Sequence, residues 1–101
     1  MARYRMSDGM VVDTDNASAH WDEDSYHDGQ NFISRATGGQ WEHQRLYRSR
    51  RGRHYLESWS DWQGSHTSAE WISKEEAARW LLLNNHDLPA DLKVVGDQLI
   101  D

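Results

Sequence analysis

The chain has 101 residues, enough for one domain with a single modest core. Seventeen acidic against eleven basic residues leave a net charge of −6, which favours solubility and opposes nonspecific attraction to nucleic acid or anionic lipid. The absence of cysteine excludes a disulfide framework and a thiolate metal centre, and no apolar run approaches the roughly 18–20 residues needed to cross a bilayer.

In chain order, Arg3 to Met6 and Met10 to Asp13 read as two short strands around Ser7-Asp8-Gly9. An Asp-Gly pair between strand-like runs favours a hairpin because both residues tolerate positive φ. No hydrophobic region follows Met1-Ala-Arg-Tyr-Arg, so no secretory signal is expected and the expected location is cytoplasmic. Asp15 to Asp24 reads as a short helix capped by Thr14 or Asp15, with Ala17 and Trp21 four apart on its inner side. Asp28-Gly29 and Gly38-Gly39 bracket Asn31 to Arg35, where Phe32 and Ile33 suit a brief strand or an ordered loop.

The main hairpin follows, from Trp41 to Trp62. With Arg50-Arg51-Gly52 as a three-residue loop and Gly52 in the left-handed position, Tyr47 faces Tyr55 and Leu46 faces Leu56. Arg45 then faces Glu57, and His43 faces Trp59. This register puts Tyr47, Tyr55 and Trp59 on one face and the two leucines on the other, so a helix is expected on one side and loops on the other. Ala69 to Ile72 reads as a further strand. Lys74 to about Asn85 is the clearest helix, with Ser73 and Glu76 as a capping box and Ala77, Ala78, Leu81 and Leu82 at helical spacing. Pro89 suits the first turn of a short second helix through Leu92. Val94 to Asp101 reads as a strand or a flexible tail of the single domain spanning 1–101.

The expected fold is α+β: a small, mainly antiparallel sheet of about four or five strands packed by a C-terminal helix. The N-terminal hairpin, the central hairpin and the strand at Ala69 to Ile72 are its expected members. Hydrophobic content is only 37%, so burial depends on large side chains, chiefly six tryptophans and four tyrosines.

Charge is segregated along the chain. Six acids and no Lys or Arg lie between Asp13 and Asp28, whereas five arginines and no acid lie between Arg45 and Arg53. Arg48, Arg50, Arg51 and Arg53 are therefore the leading candidate binding residues. The arginine side chain presents a planar fork of donors to phosphate or carboxylate and also stacks on aromatic faces. Tyr47, His54 and Tyr55 are interleaved with them, an arrangement that allows base stacking beside phosphate neutralisation. The bland alternative is a solvated turn, with Arg45 and Arg48 pairing to acids on the sheet. Six tryptophans exceed what so small a core can bury completely, and Trp62, at a strand end beside Gln63-Gly64, is the one expected to be partly exposed.

Other chemistry finds no support. Asp13-x-Asp15 and Asp22-x-Asp24 lack the alternating ligands and closing Glu of a calcium loop. The six histidines include no close zinc-ligand pair. No serine stands in a Gly-x-Ser-x-Gly elbow, and Gly38-Gly39 is too short to cradle phosphate. No metal site, cofactor or catalytic residue is assigned, and the chain is expected not to be an enzyme.

Leu46-Tyr-Arg-Ser-Arg-Arg-Gly-Arg-His-Tyr-Leu56, Trp62-Gln-Gly64 and Trp71-Ile-Ser-Lys-Glu-Glu-Ala-Ala-Arg-Trp-Leu81 together resemble small uncharacterised bacterial proteins. Those proteins join a Leu-Tyr-Arg-x-x-x-Gly-Arg-x-Tyr/Phe hairpin to a Ser-x-Glu-Glu-Ala-x-x-Trp-Leu helix. The shared motifs are structural, so the resemblance implies the hairpin-plus-helix outline and no activity. The expected function is a non-catalytic binding or accessory module that engages a protein partner through the hairpin and nearby aromatics. A nucleic-acid binder using the arginine-rich tip is the alternative, and an acidic nucleic-acid mimic using Asp13 to Asp28 is a third reading. Oligomeric state stays open, since the short sheet leaves edges able to pair with another copy.

Overall fold

The computed structural model describes residues 2–62 and 64–99. Strands β1 (Arg3–Arg5) and β2 (Val11–Asp13) form the expected N-terminal hairpin. Strands β3 (Ala19–Asp22), β6 (Glu42–Arg48), β7 (His54–Ser60) and β8 (Ser68–Ile72) form an antiparallel sheet in the order β3-β6-β7-β8. Between β3 and β6, β4 (Ser25–His27) and β5 (Phe32–Ser34) make a separate small hairpin. Helices α1 (Lys74–Leu83) and α2 (Lys93–Asp97) close the chain. The fold is thus α+β, with a four-stranded antiparallel sheet packed by C-terminal helices.

The central hairpin adopts the register read from the sequence. Tyr47 pairs with Tyr55, Leu46 with Leu56, Arg45 with Glu57 and His43 with Trp59. Its turn is closed locally. The Ser49 N–H donates to the Arg53 carbonyl at 2.7 Å, the Arg53 N–H donates to Ser49 Oγ at 3.1 Å, and Gly52 takes φ +88°. That φ favours glycine, which has no Cβ to clash with its own backbone.

Because side chains alternate across a strand, this register gives the sheet two apolar faces. On one, Leu46 meets Ala77, Ala78 and Leu81 of α1, together with Leu92, while Trp21, Leu56 and Ile72 pack around them. On the other, Tyr47 and Tyr55 pack against Met6 and Val12 of the N-terminal hairpin, flanked by Tyr4, Ala17, Ala69 and Trp71. The expected single core is therefore two smaller clusters separated by the sheet. The β1–β2 hairpin, expected from sequence to be a member of the main sheet, is instead a separate two-stranded unit that covers its aromatic face.

Two further expectations are corrected. The helix placed at Asp15 to Asp24 is a single 3-10 turn, Thr14–Asn16, followed by β3. Ala17 and Trp21 suit a helix, but Ala19 and Trp21 equally suit period two, and pairing with the free edge of β6 settles the competition. At the C-terminus, Lys93–Asp97 is helical where a strand or flexible tail was expected. Gly96 permits this turn to sit tightly against Leu88 in the connection after α1, since a Cβ there would lie 2.0 Å from Leu88 Cδ1. Ile100 and Asp101, the end of the expected tail, lie outside the described residues.

Helix α1 is fastened at both ends. The Glu76 N–H donates to Ser73 Oγ at 3.1 Å, and the Ser73 N–H donates to Glu76 Oε1 at 3.2 Å, completing the capping box. At the other end Asn85 is left-handed, with φ 62°, and the His86 N–H donates back to the Leu81 carbonyl at 2.9 Å. Asn84 is buried between them, and its amide joins α1 to the β3–β4 connection.

Candidate binding surface on the central hairpin

The seven candidate residues divide between the two ends of the β6–β7 hairpin and its covered face. A seven-residue strand at about 3.3 Å per residue puts roughly 20 Å between the arginine tip and the base. Tyr47 and Tyr55 stand on neither end. Both are buried, at 5% and 1% exposure, and stack on each other with ring centroids 5.1 Å apart. They are core residues beneath the N-terminal hairpin, so neither offers a face to a nucleobase.

At the tip the four arginines differ. Arg48 turns back toward the fold, where its Nε donates to Asp91 Oδ2 at 3.1 Å and its Nη1 to Ser18 Oγ at 3.1 Å. Arg53 donates through Nη1 to Asp8 Oδ2 at 2.9 Å and lies with Cζ 3.8 Å from the Trp71 ring centre. It thereby pins the β1–β2 turn against β8, combining an ion pair with a cation–π contact. The Arg53 guanidinium, helped by N–H groups of Met10 and Trp71, holds the Asp8 carboxyl down to about 2. Arg50 and Arg51 are exposed and enter no ion pair among the described residues.

Arg50, Arg51 and Arg53 nevertheless share a feature. They line a half-open cleft of about 270 Å³ between the hairpin tip and the N-terminal hairpin, whose walls include Val12, Ala17, Tyr55 and Trp71. The Tyr55 hydroxyl has no hydrogen-bond partner among the described residues, and burial pushes its pKa upward, with Tyr47 and Glu57 adding to the effect. It remains protonated at any ordinary pH.

At the base, Trp62 is 62% exposed and lies against Trp41, which is 45% exposed, with ring centroids 5.1 Å apart. The Asp61 N–H donates to the Trp41 carbonyl at 2.8 Å and holds the two strand ends together. Sequence reasoning named Trp62 and missed Trp41. The signal was available: the register continued one step beyond Glu42 and Ser60 sets Trp41 opposite Asp61, beside Trp62.

Next to this pair, His43 bridges two carboxylates. Its Nδ1 lies 2.7 Å from Glu23 Oε2 and its Nε2 2.8 Å from Asp61 Oδ2. Hydrogen bonding to Glu23 first, and to Asp61 second, raises its pKa above the usual histidine range. The acidic stretch is largely spoken for within the fold. Asp22 accepts from Arg45 at 2.6 Å, Asp24 from Arg35 at 3.0 Å, and Glu23 from the Gln44 N–H at 2.6 Å. Arg45 faces Glu57 across the hairpin but gives its ion pair to Asp22, while Glu57 accepts from the Tyr4 hydroxyl at 2.5 Å.

Among the described residues no group of three or more His, Asp or Glu side chains is placed to hold a metal ion, and no helix is long and apolar enough to cross a membrane. No family model, curated protein or solved structure matches the chain.

Proposed function

We propose that this chain is a non-catalytic binding module of the bacterial cytoplasm that engages a protein partner through the central hairpin, with Trp41 and Trp62 as its aromatic anchor. The observation that carries this reading is the exposure of both rings side by side at the open end of the hairpin. Paired exposed tryptophans offer a partner large apolar area at small entropic cost, and tryptophan is enriched among binding hot spots. The scaffold beneath is well suited to presenting them, since His43, Glu23 and Asp61 bind the base of the hairpin to the β3–β4 connection.

The nucleic-acid reading draws less support. Of the four tip arginines, Arg48 and Arg53 are already paired with Asp91 and Asp8, which leaves Arg50 and Arg51 for phosphate. Tyr47 and Tyr55 are buried, so the stacking platform that single-strand binders use is missing from the tip. The mimic reading suffers similarly, because Asp22, Glu23 and Asp24 are engaged by Arg45, His43 and Arg35.

Quantitative capture of partners from an extract of the source cell tests the proposal. The chain, its Trp62→Ala and Trp41→Ala variants and the Arg50→Ala/Arg51→Ala double variant are compared at about 50 and 200 mM salt. A protein retained by the parent and the arginine variant, but lost about thirtyfold or more with either tryptophan variant, is the expected result. Capture indifferent to both tryptophans overturns it. Salt-sensitive oligonucleotide binding that vanishes with Arg50 and Arg51 moves the function to nucleic acid.

A further inference from the structure

We propose that the cleft at the hairpin tip is a binding site for a small organic anion, a carboxylate or phosphate monoester carried on a compact apolar body. This site is independent of the tryptophan pair at the other end of the hairpin and does not rest on the protein-partner reading.

Three properties of the cleft point to such a ligand. The first is charge. Arg50, Arg51 and Arg53 line it against one acid, Asp13, in a chain whose net charge is −6. Asp13 is itself engaged, accepting from Arg3 Nε at 3.4 Å and from the Asp15 N–H at 3.0 Å. Arg53 is held by Asp8, so Arg50 and Arg51 supply the unspent positive charge. Two adjacent guanidinium forks suit the oxygens of a carboxylate or phosphate, which accept paired N–H donors.

The second property is the wall. Met10, Val11, Ala17 and Trp71, none of them buried, present apolar and aromatic surface in the same cleft. A bare inorganic anion leaves that surface unused, whereas a ring or branched chain attached to the anion covers it. The third is size. At about 270 Å³ the cleft exceeds the roughly 150 Å³ that accepts benzene, and so has room for a ring with a charged substituent. Recognition sites combine apolar lining with convergent polar groups, and the lining of this cleft divides about evenly between the two.

The architecture holds this arrangement without a ligand. Ser49 and Gly52 set the loop that carries Arg50 and Arg51, and the Arg53–Asp8 pair fixes the opposite hairpin relative to it. Arg50 and Arg51 sit in an exposed turn and contribute no ion pair among the described residues, so their removal leaves the fold intact.

The test is an NMR titration of the full isotope-labelled chain with benzoate, phenyl phosphate, inorganic phosphate and neutral benzamide. Anions of this size bind with Kd of about 1 mM, and titration to about 10 mM covers that range. The expected result is saturable shift changes at Val12, Ala17, Ser49 and Arg51 with benzoate or phenyl phosphate, and at least tenfold weaker binding of benzamide. The Arg50→Ala/Arg51→Ala variant is expected to lose about tenfold or more, while Trp62→Ala binds as the parent does. Whichever of benzoate and phenyl phosphate binds more tightly identifies the head group. The proposal is overturned by the absence of saturable shifts with both anions, by equal binding of benzamide, or by inorganic phosphate binding as tightly as phenyl phosphate. Unchanged affinity in the arginine variant, with its folded spectrum retained, overturns it equally.

Discussion

Asn84→Ala is expected to destabilise the fold by about 2–3 kcal/mol, although Asn84 is a polar residue at the very end of α1. It is 2% exposed, and its side chain makes two hydrogen bonds, one back along α1 and one to the distant β3–β4 connection. Nδ2 donates to the Trp80 carbonyl at 2.8 Å, and Oδ1 accepts from the Asp24 N–H at 2.9 Å. Each such bond contributes about 1 kcal/mol net, and truncation also leaves a small void beside Trp80. Because the Asp24 amide is only partly buried, water recovers part of the second bond, which keeps the total below the larger values seen for dry networks. For a domain of about 100 residues that loss lowers Tm on the order of 10 °C. Urea unfolding followed by tryptophan fluorescence and circular dichroism measures it directly. Asn84→Asp separates the two bonds, since it keeps the acceptor for Asp24 but turns the donor facing Trp80 into another acceptor. It is expected to be at least as damaging as Ala at neutral pH. A loss below about 0.5 kcal/mol for Ala, or an Asp variant as stable as the parent, would refute the reasoning.

Three other outcomes follow from buried or bridged polar groups. His43 has a raised pKa in the fold, so its contribution is fully present below the unfolded histidine value of about 6.5 and fades as pH rises through the higher folded value. His43→Gln should therefore flatten the alkaline limb of a stability–pH profile, and an unchanged limb would remove the Glu23–His43–Asp61 bridge as its cause. His54 is the opposite case. Burial lowers its pKa, so stability falls as pH drops from the unfolded value through the lower folded one, and His54→Gln should flatten that acid limb. Tyr55→Phe deletes a hydroxyl with no partner among the described residues, so thermal unfolding should show unchanged or higher stability, by up to about 1 kcal/mol. A marked loss would mean that the hydroxyl is hydrogen-bonded in solution.

The parts of this protein legible in the sequence are those decided within a few residues or by one strand pairing. Gly52 after two arginines defines a turn, the turn defines the Tyr47–Tyr55 register, and period two then distributes Leu46 and Leu56 to the opposite face. Ser73 and Glu76 likewise mark the start of α1 because both halves of the capping box lie within one helical turn. The exposed Trp62 could be named because it follows the end of β7 into a polar loop.

The tertiary structure decided what depends on distant partners. Trp21 fits a helix or a strand by local pattern, and the vacant edge of β6 made it a strand residue. The N-terminal hairpin forms from its own turn, but only the apolar Tyr47–Tyr55 face determined that it would lie over the sheet instead of extending it. That same placement buried two candidate binding tyrosines, tied Arg53 to Asp8 and built the cleft beside Arg50 and Arg51. Residue type alone established that the tip would be rich in guanidinium groups. Which of those groups stay available is set by acids more than forty positions away, Asp8 before the tip and Asp91 after it, because charge pairing acts through space and not along the chain.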